Sequence, residues 1–180
     1  MMNSELVIRA RDFAEEKHKG QTRKDGSPYV NHPIRVADII FEFKESKNID
    51  ELLAAALLHD TLEDTDTGIS ELRDNFWEAV TLLVVELTSD KLRSNIVGKV
   101  NYLSDRFSDE RAIGNWGLVI KLADRLDNVS DLEDTDIEFA RRIKHQTLIF
   151  LDALEEKREL TQTHKGLILA IRKKLEELKI

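Results

Sequence analysis

The chain has 180 residues, 41% of them hydrophobic and 34% charged, as one soluble globular domain with a single sizeable core requires. Seven glycines and two prolines leave little room for turn-rich β architecture, and the absence of cysteine excludes disulfides, thiolate metal sites and cysteine nucleophiles. A net charge of −8 argues against nucleic acid or an anionic membrane surface as partner; with no signal-like N-terminus and no apolar run of spanning length, a cytoplasmic protein is expected.

Helical spacing dominates the chain. Leu6, Ala10, Phe13 and Ala14 give an apolar stripe for a first helix over residues 4–18. The run from Lys17 to Lys24, KHKGQTRK, then carries four positive charges and no acid. Residues 19–30 read as a loop, with Asp25-Gly26 and Ser27-Pro28 as turn signals. A second helix starts near Asn31 as N-cap, tolerates Pro33 in its first turn, and shows Ile34, Val36, Ala37, Ile40 and Phe41 as its stripe. A third runs over 49–60. Thr67 is expected to cap the next, which carries Ile69, Leu72 and Phe76, and another covers 78–87. Further helices fit 95–107, 115–129, 136–156 and 162–179. No strand-like alternation, repeat or linker interrupts this pattern, so residues 1–180 are expected to form a single compact all-α bundle.

The apolar run Leu52 to Leu58 ends in His59-Asp60-Thr61-Leu62-Glu63-Asp64-Thr65-Asp66, a histidine and four carboxylates within eight residues. Carboxylates resist burial unless their charge is compensated, and a cation is the simplest compensation. On a continuous helix, 59 and 63 share one strip and 60 and 64 the adjacent one, so all four converge on a patch. If the helix unwinds at Asp60, Glu63 and Asp64 stand just beyond its end.

Two more polar residues stand out among apolar neighbours: His32 in Tyr29-Val30-Asn31-His32-Pro33, and Asp124 within GLVIKLADRL. Two histidines with two carboxylates suit a divalent cation of intermediate hardness such as manganese. The plainer readings are a helix-start histidine and a surface ion pair between Asp124 and Arg125. His18, His145 and His164 are given no role.

With these residues assembled, the chain resembles the HD-domain metal-dependent phosphohydrolases, and among them the hydrolase domain of RelA/SpoT homologues and the small alarmone hydrolases. Four blocks carry the likeness: TRKDGSPYVNHPIRVA at 22–37, AALLHDTLEDTDT at 55–67, VVELTSDK at 84–91 and VIKLADRLDNV at 119–129. The resemblance implies an HD-domain helical bundle holding one manganese ion on His32, His59, Asp60 and Asp124. It implies that Glu63 and Asp64 position or activate the attacking water, that Arg23 and Lys24 contact a small anionic nucleotide, and that Asn128 faces its sugar or phosphates. The implied reaction removes the 3′-pyrophosphate from guanosine tetra- or pentaphosphate, giving GDP or GTP. Glu63 and Asp64 could instead orient His59.

The chain departs from the family at Asp127, where many members have histidine or an aromatic residue, and over residues 94–115. Two other readings therefore stay open: a phosphohydrolase for another nucleotide, such as an NADPH 2′-phosphatase or a nucleotidase, and a non-catalytic, metal-stabilised nucleotide-binding module.

Overall fold

Seven apolar residues in a row, Leu52 to Leu58, leave a helix no polar face, so neighbours have to surround it. The computed structural model, which describes residues 4–44, 46 and 49–179, shows how. It divides into two units between Thr88 and Ser89.

The first unit contains α1 (Glu5–Lys17), α2 (Asn31–Phe43), α3 (Asp50–Leu58), α4 (Thr61–Asp64), α5 (Ile69–Asn75) and α6 (Glu78–Leu87). α3 is the hub, with α1, α2 and α6 all packed on it. Every residue from Leu52 to Leu58 is buried. Ala54, Ala55 and Ala56 let the surrounding backbones come close, while Leu52, Leu53 and Leu58 fill the gaps. Each such leucine contributes roughly 1.5–3 kcal/mol through burial. Edge-to-face packing of Phe13 on Phe76, with centroids 5.3 Å apart, ties the outer surface of α1 to the end of α5.

The second unit contains α7 (Lys91–Val97), α8 (Lys99–Ser108), α9 (Asn115–Ser130), a 3-10 turn (Leu132–Asp134), α10 (Ile137–Lys157) and α11 (Gln162–Glu177). α9 packs on α11, and α8 on α10. Buried His164 has a structural task here. Its Nδ1 accepts the Thr161 N–H at 3.3 Å in a capping box, and its Nε2 donates to the Asn115 carbonyl at 3.0 Å.

The all-α expectation holds: among the described residues the sole β feature is an isolated bridge between Thr22 and Pro28. No described helix is long and apolar enough to cross a membrane.

Several helix boundaries differ from the sequence reading. Asn31 is the first helical residue of α2 rather than its cap. The Pro28 and Tyr29 carbonyls accept the N–H groups of Asn31 and His32, so no side-chain cap is needed there. Thr67 does not cap α5, whose N-cap is Gly68; the Thr67 hydroxyl is engaged with Thr65 Oγ1 at 2.7 Å. The helix expected over 95–107 is two, because Gly98 adopts φ +87°, which no α-helix accommodates. The first of them begins earlier, where Asp90 accepts the Arg93 N–H at 2.9 Å. The helix expected over 49–60 stops at Leu58.

Candidate active site

The stop at Leu58 shapes the site. No proline or glycine breaks the chain there; side chains take over the last carbonyls of α3. The buried Thr61 hydroxyl donates to the Leu58 carbonyl at 2.7 Å, and His59 Nδ1 lies 2.7 Å from the Ala56 carbonyl oxygen. A carbonyl only accepts, so Nδ1 carries the proton, and a neutral ring presents its Nε2 lone pair outward.

That lone pair faces Asp60 Oδ2 at 3.1 Å. His32, buried in the first turn of α2, brings its own Nε2 to 3.6 Å from the same oxygen. The two imidazoles lie 5.3 Å apart with planes at 68°, and donor nitrogens of the pair come within 4.8 Å of each other. Two imidazole nitrogens and a carboxylate oxygen therefore converge. Groups that all accept repel at this range unless a proton or a cation lies between them. The donor set, two nitrogens and an oxygen with no sulfur, suits a divalent ion of intermediate hardness.

Around this centre lies a layer the sequence reading missed. The Tyr29 hydroxyl donates to Asp60 Oδ2 at 2.7 Å and lies 3.2 Å from Asp64 Oδ2, so it joins the metal-ligand candidate to the second acid. His18 stacks on Tyr29 with centroids 4.8 Å apart. Its Nδ1 donates to Gln21 Oε1 at 2.8 Å, and the Gln21 amide donates to the Asp64 carbonyl at 2.6 Å. The available signal was proximity: Tyr29 stands three residues before His32, and His18 and Gln21 sit within the basic run.

Glu63 and Asp64 ride on the single turn of α4, where their N–H groups donate to the Asp60 carbonyl at 3.1 and 2.9 Å. Glu63 is half-buried and Asp64 exposed. Arg23 and Lys24 lie in a closed loop. The Arg23 N–H donates to the Ser27 carbonyl at 2.9 Å, and Gly26 turns the chain at φ +83°. Asp25 braces this loop by accepting the Ser27 N–H and hydroxyl, which holds its carboxyl below the usual aspartate range. At the base of the basic run, the Lys17 ammonium pairs with Glu71 at 2.7 Å and Asp66 at 3.6 Å, which raises its pKa.

Asp124 and Asn128 sit one turn apart on α9, in the second unit. Asp124 is buried, with Lys121 Nζ 2.7 Å from Oδ2 and the Asn128 amide donating to Oδ1. Its salt bridge is thus with Lys121, not Arg125. Asp127 is also buried, at 3% exposure, so the extra carboxylate of this chain does not stand out into solvent.

A family model described as HD domain matches residues 10–104. The guanosine-3′,5′-bis(diphosphate) 3′-pyrophosphohydrolase of Aquifex aeolicus is 38% identical over 152 residues, covering 81% of this chain and 20% of that protein. The chain thus spans about a fifth of that relative's length. The human guanosine-3′,5′-bis(diphosphate) 3′-pyrophosphohydrolase MESH1 is 42% identical over 130 residues, which cover 70% of this chain and 69% of that one. A solved structure of a metazoan SpoT orthologue, described as hydrolysing ppGpp, superposes with a TM-score of 0.75 at 25% identity, over 97% of this chain and 96% of the other.

Proposed function

The chain belongs to the HD-domain family, and on that premise we propose that it is a metal-dependent hydrolase removing the 3′-pyrophosphate from guanosine tetra- or pentaphosphate. The observation that carries this reading is the convergence of His32 Nε2, His59 Nε2 and Asp60 Oδ2 on one point, with His59 fixed in its tautomer by its own helix. The names of the relatives supply the substrate.

We assign one manganese ion to His32, His59, Asp60 and Asp124. When bound, such an ion supplies Lewis acidity, acidifying water and drawing charge from phosphoryl oxygens. Lys121 and Asn128 orient the Asp124 carboxylate.

Hydrolysis replaces the bond between the ribose 3′ oxygen and phosphorus with one from the water oxygen. One water proton passes to the carboxylates of Glu63 and Asp64 and is then returned to the 3′ oxygen, which leaves as a hydroxyl. Tyr29 holds Asp60 and Asp64 in register for that transfer. Arg23 and Lys24, on their braced loop, offset nucleotide phosphate charge that an acidic chain otherwise repels, and Asn128 borders the nucleotide. Residues 1–180 then act as one functional HD-type domain; the family match at 10–104 runs across the division at Thr88. The partner is a small anionic nucleotide, not nucleic acid or membrane, and the setting is the cytoplasm.

Manganese-dependent hydrolysis of guanosine tetraphosphate, with products resolved and His59→Ala as control, tests the reading. GDP and pyrophosphate, absent in the variant, support it. Turnover of NADPH or ordinary nucleotides alone would transfer the site to another substrate, and a metal-loaded chain that turns over nothing would leave a binding module.

A further inference from the structure

Apart from the residues assigned to hydrolysis, the second unit contains a cavity of about 340 Å³. That is within the ~300–1,000 Å³ range of small-molecule sites. Lys99 at the start of α8, Arg125 on α9, and Phe139, Arg142, Gln146 and Phe150 on α10 line it, and no aspartate or glutamate does. Lys99 and Arg142 are exposed, whereas Arg125 is largely covered and Phe150 is buried.

Arg125 is the informative residue. Its Nε is buried with no hydrogen-bond partner, and its Nη1 reaches only the Thr147 hydroxyl, at 3.5 Å. The carboxylate next to it in sequence, Asp124, is engaged by Lys121 and Asn128. Arg158, buried in the same unit, donates to the Phe107 carbonyl at 2.8 Å and to Asn115 Oδ1 at 3.2 Å. None of Lys99, Arg125 and Arg142 takes part in a salt bridge among the described residues.

Burial costs the Arg125 cation more than the field of Asp124 returns, and three cations around one cavity repel one another. Two of them are nevertheless held in place: Arg125 lies 5.8 Å from the Phe150 centroid and Arg142 lies 5.2 Å from that of Phe139. Ordered guanidinium groups lining an acid-free cavity suit the recognition of phosphate oxygens.

We propose that this cavity is an oxyanion site for a phosphate or pyrophosphate group, with Arg125 at its floor and Lys99 and Arg142 at its mouth. The Gln146 amide supplies a further donor. The group can belong to free pyrophosphate or to the phosphates of a nucleotide; the second source rests on the hydrolase reading above, and the first does not.

The test uses the full chain with Lys99→Gln and Arg142→Gln combined. Both positions are exposed, so folding is retained, which circular dichroism checks. Inorganic pyrophosphate is titrated calorimetrically in chelator against His59→Ala protein, where the proposed metal centre is disabled, with and without the two substitutions. In parallel, KM and kcat for guanosine tetraphosphate are measured on the otherwise native chain. Binding of one pyrophosphate, weakened at least about tenfold by the pair, supports a site for the free anion. No binding of free pyrophosphate, but a KM raised about tenfold or more at unchanged kcat, supports a site for the nucleotide's own phosphates. Pyrophosphate binding that ignores both substitutions, or neither effect in folded protein, overturns the proposal. If no nucleotide is turned over, the titration alone decides.

Discussion

Asp60 in the first unit and Asp124 in the second are both carboxylates set among apolar helical residues, yet their neighbours differ in kind. Asp124 is paired within its own helix with Lys121 three residues before it and accepts from the Asn128 amide four residues after it. Asp60 has the Tyr29 hydroxyl as a donor, but its Oδ2 also faces Nε2 atoms of His59 and His32 at 3.1 and 3.6 Å. Asp124 has two donors from its own helix, whereas Asp60 Oδ2 meets two ring nitrogens that repel it unless a proton or a cation lies between them.

The largest expected effect comes from deleting a converging nitrogen. His59→Ala should lose both bound manganese, measured by elemental analysis of the folded protein, and detectable turnover. Retained metal with retained turnover would put the centre elsewhere. Glu63→Gln should keep the metal and lower kcat by ~10²–10⁴-fold, the range of a lost proton acceptor. An unchanged kcat would reassign Glu63 to orienting its neighbours. Tyr29→Phe removes the donor shared by Asp60 and Asp64, and a loss of about 10–100-fold in metal affinity or activity is expected.

Two stability measurements test the contrast itself. Lys121→Met leaves Asp124 buried with one partner fewer, which should cost about 1–3 kcal/mol in chemical denaturation. Asp60→Asn should do the opposite in metal-free protein. With its nitrogen in the Oδ2 position, the new amide donates to His59 Nε2 while the Tyr29 hydroxyl turns to accept, replacing repulsion with a bond that contributes about 0.5–1.5 kcal/mol. The same variant should bind metal poorly. If Asp60→Asn destabilises the metal-free chain as Lys121→Met does, the two carboxylates are alike and the comparison fails.

Much of the helical order was legible because it rests on local spacing. The expected 78–87 helix coincides with Glu78–Leu87, and the expected 4–18 helix differs by one residue at each end from Glu5–Lys17. The buried α3 was legible because seven consecutive apolar residues have no other place to go. Boundaries set by through-space partners were not. Nothing in Asn31 or Thr67 reveals that turn carbonyls accept the first N–H groups of α2 or that the Thr67 hydroxyl is engaged by Thr65. Gly98 was visible, but only its φ of +87° makes it a break rather than a tolerated helix residue.

The residue types of the site were likewise in the sequence. HDTLED, with an upstream histidine and a downstream aspartate, specifies a donor set of nitrogen and oxygen, and no arrangement of this cysteine-free chain could add a thiolate. Tertiary structure decided which of those donors meet: Tyr29 ties Asp60 to Asp64 and His32 Nε2 comes to 3.6 Å from Asp60 Oδ2, while the contacts of His59 with Ala56 and of Asp124 with Lys121 and Asn128 span only three or four residues. The physical reason is range. Side-chain type and helical spacing are properties of neighbours along the chain, whereas proton position and charge compensation depend on atoms within about 3 Å, and folding chooses which atoms those are.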